Sequence, residues 1–242
     1  MCELAPLPER FAETRDALHR VAVHVLARRR HALCGRFGLR ATPLGFGTPT
    51  AGPDNEVVRT SGSWLLRERF GAVPSTIALD LRTSSLADAA RFAAVDLSAP
   101  FDAGDATPPV GDPVVGLRVD HDVAAALGHW YTFGWSVLDA VVGALPEAAT
   151  PSALQLWPEH FDAGCDVAVA SGARVNLGAS PGDAFHSEPY LYVGPWEADR
   201  PGDPSYWNAP FGAIIGYQAL LDSGDPRKAA TAFLQRGLDI HA

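Results

Sequence analysis

FDAGCDVAVASGARVNLGASPGDAFHSEPYLYVGPW, residues 161 to 196, contains three strand-like runs, 161 to 170, 173 to 180 and 188 to 196. Gly, Ser and Pro separate them. The short Ser171–Ala173 turn predicts an antiparallel pairing of the first two runs, with Asp162 lying opposite Pro181. A third run returning beside the second makes a meander. Antiparallel meanders flanked by helical sequence define an α+β chain rather than a parallel α/β one.

Helical patterning flanks the meander on both sides. Residues 8 to 32 place Phe11, Leu18, Val21, Val25 and Ala32 on one stripe, with surface positions expected for His19, His24 and His31. Strand-like runs follow from Arg36 to Phe70. After them come the strand "STIALDL" and a helix from Ser84 or Ser85, which the serine caps. Residues 96 to 118 begin as an Asp, Pro and Gly-rich stretch without periodicity, read as a linker or long loop. A second helix starts at "DHD" (120 to 122), and the chain closes with "FGAIIGYQALL" (211 to 221), read as a strand, and a helix from Asp225 and Pro226.

The two halves show the same order of elements. "RFGLRATP" (36 to 43) also aligns without gaps on "RVNLGASP" (174 to 181), so an internal duplication of a helix-strands-strand-helix unit is expected. This reading divides the chain into a structural first half (1–95), a loop (96–118) and a second half (119–242). The halves form either one pseudo-duplicated domain or two packed lobes.

Composition narrows the function classes. With 242 residues, 47% hydrophobic and 19% charged, the chain has material for a real core. A net charge of −9 argues against a nucleic-acid partner, since phosphate binding needs a basic footprint. The one basic cluster, "RRRH" (28 to 31), reads as a solvated helix end. Cys2, Cys34 and Cys165 form no CxxC pair, and the first residues are acidic without an apolar core, so a cytoplasmic location without a leader is expected. The apolar run 123 to 145 holds His129 and Asp139 and reads as a buried helix, not a membrane span. Abundant Ala and Arg, with Lys228 the single lysine, suggest a bacterial source.

Within the meander the chemistry-bearing residues gather at one end. The predicted register brings His160, Asp162, Asp183, His186 and Glu188 together, because strand starts and ends alternate between the two ends of a sheet. His160, Asp162, His186 and Glu188 are thereby the candidate catalytic set for acid–base work. His160, His186 and Glu188 would suit a divalent metal such as zinc, iron or manganese as cofactor. Asp183 is equally a turn residue. Tyr190 and Tyr192 share one face of their strand and, with Asp183 and Trp196, form the candidate ligand-binding set. The reading that follows is a small-molecule-binding protein, with a metal-assisted or acid–base enzyme and a structural or protein-interaction role as alternatives.

"LQLWPEHFD" (154 to 162), "NLGASPGD" (176 to 183), "EPYLYVGPW" (188 to 196) and "YWNAPFGA" (206 to 213) resemble stretches of uncharacterised bacterial proteins, chiefly actinobacterial. The ending "IIGYQALLDSGDPRKAATAFLQRGL" is similar to the strand and helix that close another bacterial domain of unknown function. The resemblance implies no activity.

Overall fold

The structure, a computed structural model, describes residues 4–104 and 106–240. Cys2, the first residues of the expected leaderless start and Asp105 of the loop lie outside the described residues. The fold is α+β. Its first half runs α1 (Phe11–Val21), a π-helical turn (Ala22–Ala27), α2 (Arg28–Cys34), β1 (Arg40–Thr42), β2 (Gly45–Gly47), β3 (Glu56–Ser61), β4 (Trp64–Arg69), β5 (Ser75–Asp80) and α3 (Leu86–Phe92). The second half runs α4 (His121–Gly143), a short 3-10 turn (Glu147–Ala149), β6 (Gln155–Trp157), β7 (Asp162–Ala168), β8 (Arg174–Ser180), β9 (Tyr190–Pro195), β10 (Ala213–Gly216), α5 (Tyr217–Asp222) and α6 (Pro226–Ile240).

Both halves form five-stranded antiparallel meanders, ordered β1-β2-β3-β4-β5 and β10-β9-β8-β7-β6. The expected recurrence of helix, strands and helix is present. It does not rest on the eight-residue alignment, because Arg36–Pro43 carries the edge strand β1, whereas Arg174–Pro181 carries the interior strand β8. A short sequence pattern records which face each side chain takes, not the place of the strand in its sheet.

Two compact units divide the chain elsewhere than at the loop. Leu7–Thr132 with Leu156–Phe161 make the first; Phe133–Gln155, Asp162 onward and the residues up to Pro6 make the second. The 96–118 segment therefore lies inside the first unit and is not a linker. Three N–H-bearing side chains one turn apart, Arg20, His24 and Arg28, hold it down. Arg20 donates to the carbonyls of Val110 and Asp112, a ring nitrogen of His24 lies 2.7 Å from the Pro108 carbonyl, and Arg28 donates to the carbonyls of Asp96 and Ala99. Loop carbonyls without a regular ladder need such donors.

This stitching corrects several expectations about the first helix. His24 is buried and His19 stacks on Phe161 with ring centroids 4.9 Å apart; only His31 is exposed, and so is Ala32. Arg28 is likewise buried, so the "RRRH" cluster is not simply a solvated end. The π-helical turn widens the helix, and residues 21 to 28 are buried without interruption. A narrow 3.6-residue stripe could not show that.

Local signals otherwise hold. Ser85 caps α3 in a reciprocal capping box with Asp88, Asp120 accepts from the amides that open α4, and Asp225 accepts the Lys228 amide at the start of α6. The apolar run 123 to 145 largely forms α4, where Val123, Leu127, Trp130, Tyr131, Val137 and Leu138 are buried. Among the described residues no helix is long and apolar enough to cross a membrane.

In the second unit, one face of the sheet is apolar. Ala163, Cys165, Val167, Val175, Leu177, Ala179, Leu191, Val193 and Ala213 are buried there. Glycine lets α6 approach it: a methyl group at Gly237 would sit 2.8 Å from the Val193 side chain. Burial pushes the Cys165 thiol up to about 11, with the nearby Asp166 charge acting the same way, so it stays an unreactive thiol.

Candidate functional site

Opposite that apolar face, β7 to β10 carry a polar one. The register pairs Ala163 with Ala179, so Asp162 falls level with Ser180, one residue short of the expected Pro181. The difference arises because Val169 and Ala173 close the hairpin, the Val169 amide bonding the Ala173 carbonyl, so that the pairing is centred on Ser171 and not between Ser171 and Gly172. One residue of shift changes the face. Asp162, Gly164, Gly178, Ser180, Tyr190 and Tyr192 consequently share one side, with Tyr192 paired to Gly178 and Tyr190 to Ser180.

Glycines clear the floor on which Tyr192 lies. A methyl group at Gly178 would come within 2.1 Å of its ring, and one at Gly164 within 3.1 Å of its hydroxyl. Laid flat across β8, Tyr192 donates its hydroxyl hydrogen to Asp162 Oδ2. Tyr190 points the other way and donates to Asp183 Oδ2 at 2.6 Å. The two rings are 6.2 Å apart, each bound to its own carboxylate.

Asp183 has a second task. Its Oδ1 accepts the amides of Phe185 (2.8 Å) and His186 (3.0 Å), while its own amide bonds the His186 carbonyl. The turn reading of Asp183 is therefore correct, and the same carboxylate also reaches Tyr190. This winding sets the His186 ring edge-on to Tyr190 at 5.6 Å and over the backbone of Gly216, where a methyl group would lie 3.1 Å from Nε2. Nε2 of His186 is inaccessible to solvent and has no hydrogen-bond partner among the described residues.

Burial raises both tyrosine pKa values. For Tyr190 the hydrogen bond to Asp183 adds to the rise and the Ser180 hydroxyl opposes it; for Tyr192 the charge and hydrogen bond of Asp162 add to it. Both stay protonated across the physiological range. They act as donors to their carboxylates, and their oxygens can also accept, as Tyr190 does from the Ser180 hydroxyl.

Phe211 closes the constellation at 6.5 Å from Tyr190 and 6.2 Å from Tyr192, and Phe185 meets it edge-on at 5.3 Å. Phe185 and Phe211 are 47% and 38% exposed, so this aromatic pair forms the solvent side of the cluster. Sequence reading missed both phenylalanines and the glycine floor. The available signal was the alignment of Gly178 with Tyr192, visible only once the register is known.

The remaining candidates are placed differently. His160 belongs to the first unit and is exposed; Glu188 is in the second unit and exposed. Trp196 stands about 20 Å along β9 from Tyr190, six residues at roughly 3.3 Å each. There its indole donates to Asn176 at 2.8 Å, under the Arg174 guanidinium 5.7 Å from its ring. Of the expected ligand-binding set, Asp183, Tyr190 and Tyr192 come together and Trp196 does not. The described residues include no group of three or more His, Cys, Asp or Glu placed to hold a metal ion, so the expected His160, His186 and Glu188 set is not assembled as a metal centre.

A cleft of about 500 Å³ lies at the far end of the same unit, lined by Leu145, Ala149, Val169 and Leu238 among others. Beside it a second of about 510 Å³ is lined by Arg174, Glu197 and Ile240. Neither touches the tyrosines. No protein-family model, curated protein or solved structure matches the chain.

Proposed function

We propose that this protein binds a small molecule at the Tyr190 and Tyr192 end of the second unit's sheet, and that the ligand presents hydrogen-bond donors to it. The observation that carries this reading is the pair of tyrosines, each tied to its own carboxylate on a floor cleared by glycine, beside a buried imidazole nitrogen without a partner. Side chains chosen only for packing would fill such a floor with methyl groups. Two carboxylates and two protonated tyrosine oxygens offer acceptors, and the aromatic rim of Phe185 and Phe211 offers flat faces. An amine, a guanidine or a polyol fits that chemistry.

The acid–base enzyme reading has less support. Its four-residue set loses His160 and Glu188 to exposed positions, and the tyrosines hold their protons too firmly to serve as bases near neutrality.

Thermal-shift titration with cationic, neutral polyol and anionic small molecules tests the proposal. The native protein is expected to respond to a cationic or polyol ligand, and Tyr190→Phe and Tyr192→Phe are expected to weaken that response at least tenfold, one lost charge-assisted hydrogen bond being worth about 1.5–3 kcal/mol. A response confined to anions, none at all, or one unchanged in both variants would refute it.

A further inference from the structure

We propose that β5 is a self-association edge, along which two copies of this chain pair antiparallel about a two-fold axis at Ile77. β5 forms one border of the first unit's sheet, hydrogen-bonded to β4 through six successive register pairs without a bulge. Its other side offers a row of strand hydrogen-bonding groups. Ser75, Thr76, Ile77 and Ala78 are all exposed, so neither face of the strand is covered there. The usual protections of an edge are missing. Between Ser75 and Asp80 there is no proline and no lysine, and the single charged residue, Asp80, is held by Arg82 at 2.7 Å.

Symmetry selects the occupant and the register. A two-fold axis perpendicular to the sheet keeps each face on its own side, so a residue at the axis must pair with itself, since neighbouring residues point to opposite faces. With Ile77 on the axis, its 51% exposed side chain meets its own copy, the largest apolar group in the strand that the three self-pairing choices near the centre can bury. Thr76 then meets Ala78, Ser75 meets Leu79, and Asp80 falls opposite Pro74, so no like charges face each other. Val73, in the bend just before the strand, is 82% exposed as well.

The pairing closes on itself. β1 and β6 span three residues each and β10 four, against six in β5, so the other borders are too short to extend the assembly. A two-fold dimer with one continuous ten-stranded sheet, twice the five strands of each copy, is the expected product.

Light scattering after size exclusion, across the micromolar range, tests this on the full chain. The native protein is expected to pass from monomer to dimer and no further, and Ile77→Lys, which sets two ammonium groups together at the axis, to weaken association at least tenfold while melting like the native chain at concentrations where both are monomeric. In a Cys2→Ser, Cys34→Ser background, Ile77→Cys is expected to form an inter-copy disulfide on mild oxidation, whereas Ser75→Cys, opposite Leu79, is not. A strict monomer, an open-ended polymer, or equal cross-linking at both positions would overturn the proposal. So would a monomer whose β5 instead takes up a strand of another protein.

Discussion

Replacing Glu56 with Ala is expected to destabilise the first unit by about 3–5 kcal/mol, the usual cost of leaving buried charges without their counter-charge. Glu56 is 3% exposed on β3, directly opposite Arg69. It accepts from Arg29 at 2.6 Å, Arg67 at 2.8 Å and Arg69 at 3.2 Å. One carboxylate thus joins α2 to two positions on β4, and its removal leaves three guanidinium groups facing one another. Glu56→Gln keeps the shape but not the charge and should fall between. Urea unfolding of the three proteins checks the order, and an alanine variant as stable as the native chain would contradict the bridging role.

The same residue makes stability depend on pH. Burial works to raise the Glu56 pKa, but the hydrogen bonds and charges of Arg29 and Arg67 outweigh it, so the folded value lies below the ordinary 4.5. A depressed folded pKa means that the unfolded chain binds the proton first. The contribution is complete above the unfolded value and is lost as pH falls through the folded one. A melting temperature that drops more steeply in native protein than in Glu56→Gln below about pH 4.5 is the expected result, that being the group's ordinary value.

Gly178→Ala should have the largest effect on the second unit. The added methyl group would stand 2.1 Å from Cζ of Tyr192 and 2.3 Å from its hydroxyl oxygen, with the rigid ring unable to bend away. Tyr192 must leave the floor, and its hydrogen bond to the buried Asp162 goes with it. Overpacking costs roughly 1–3 kcal/mol, and the lost hydrogen bond to a charged acceptor adds about 1.5–3 kcal/mol. A lower melting temperature, a changed near-ultraviolet tyrosine signal and loss of ligand response are expected together. Gly143→Ala, at the end of α4 where a methyl group meets nothing, is the control and should leave the tyrosine signal and ligand response unchanged. An unchanged tyrosine signal in Gly178→Ala would mean that the ring does not need the cleared floor.

Much of the fold is legible in the chain itself. Ser85, Asp120 and Asp225 cap helices through amides only two or three residues away, and "STIALDL" carries a strand; of "FGAIIGYQALL" only Ala213–Gly216 is strand, the rest turning into α5 from Tyr217. Tyr190 and Tyr192 share a face because strands have a period of two, whatever lies beside them. The sequence by itself therefore determined the elements, the α+β class and the side of β9 on which chemistry could occur.

Tertiary structure decided what those groups meet. His24 and Arg28 look like surface residues until a loop more than 65 positions away brings carbonyls to them. The partner of Tyr192 depended on where the first hairpin closes: pairing centred on Ser171 puts Asp162 level with Ser180 and onto the tyrosine face. His160 and Trp196 dropped out for the same reason: chain proximity does not fix which unit or which end of a strand a side chain serves. Local propensity acts over a turn or two, whereas register and burial follow from contacts between distant segments, and these alone decide the site.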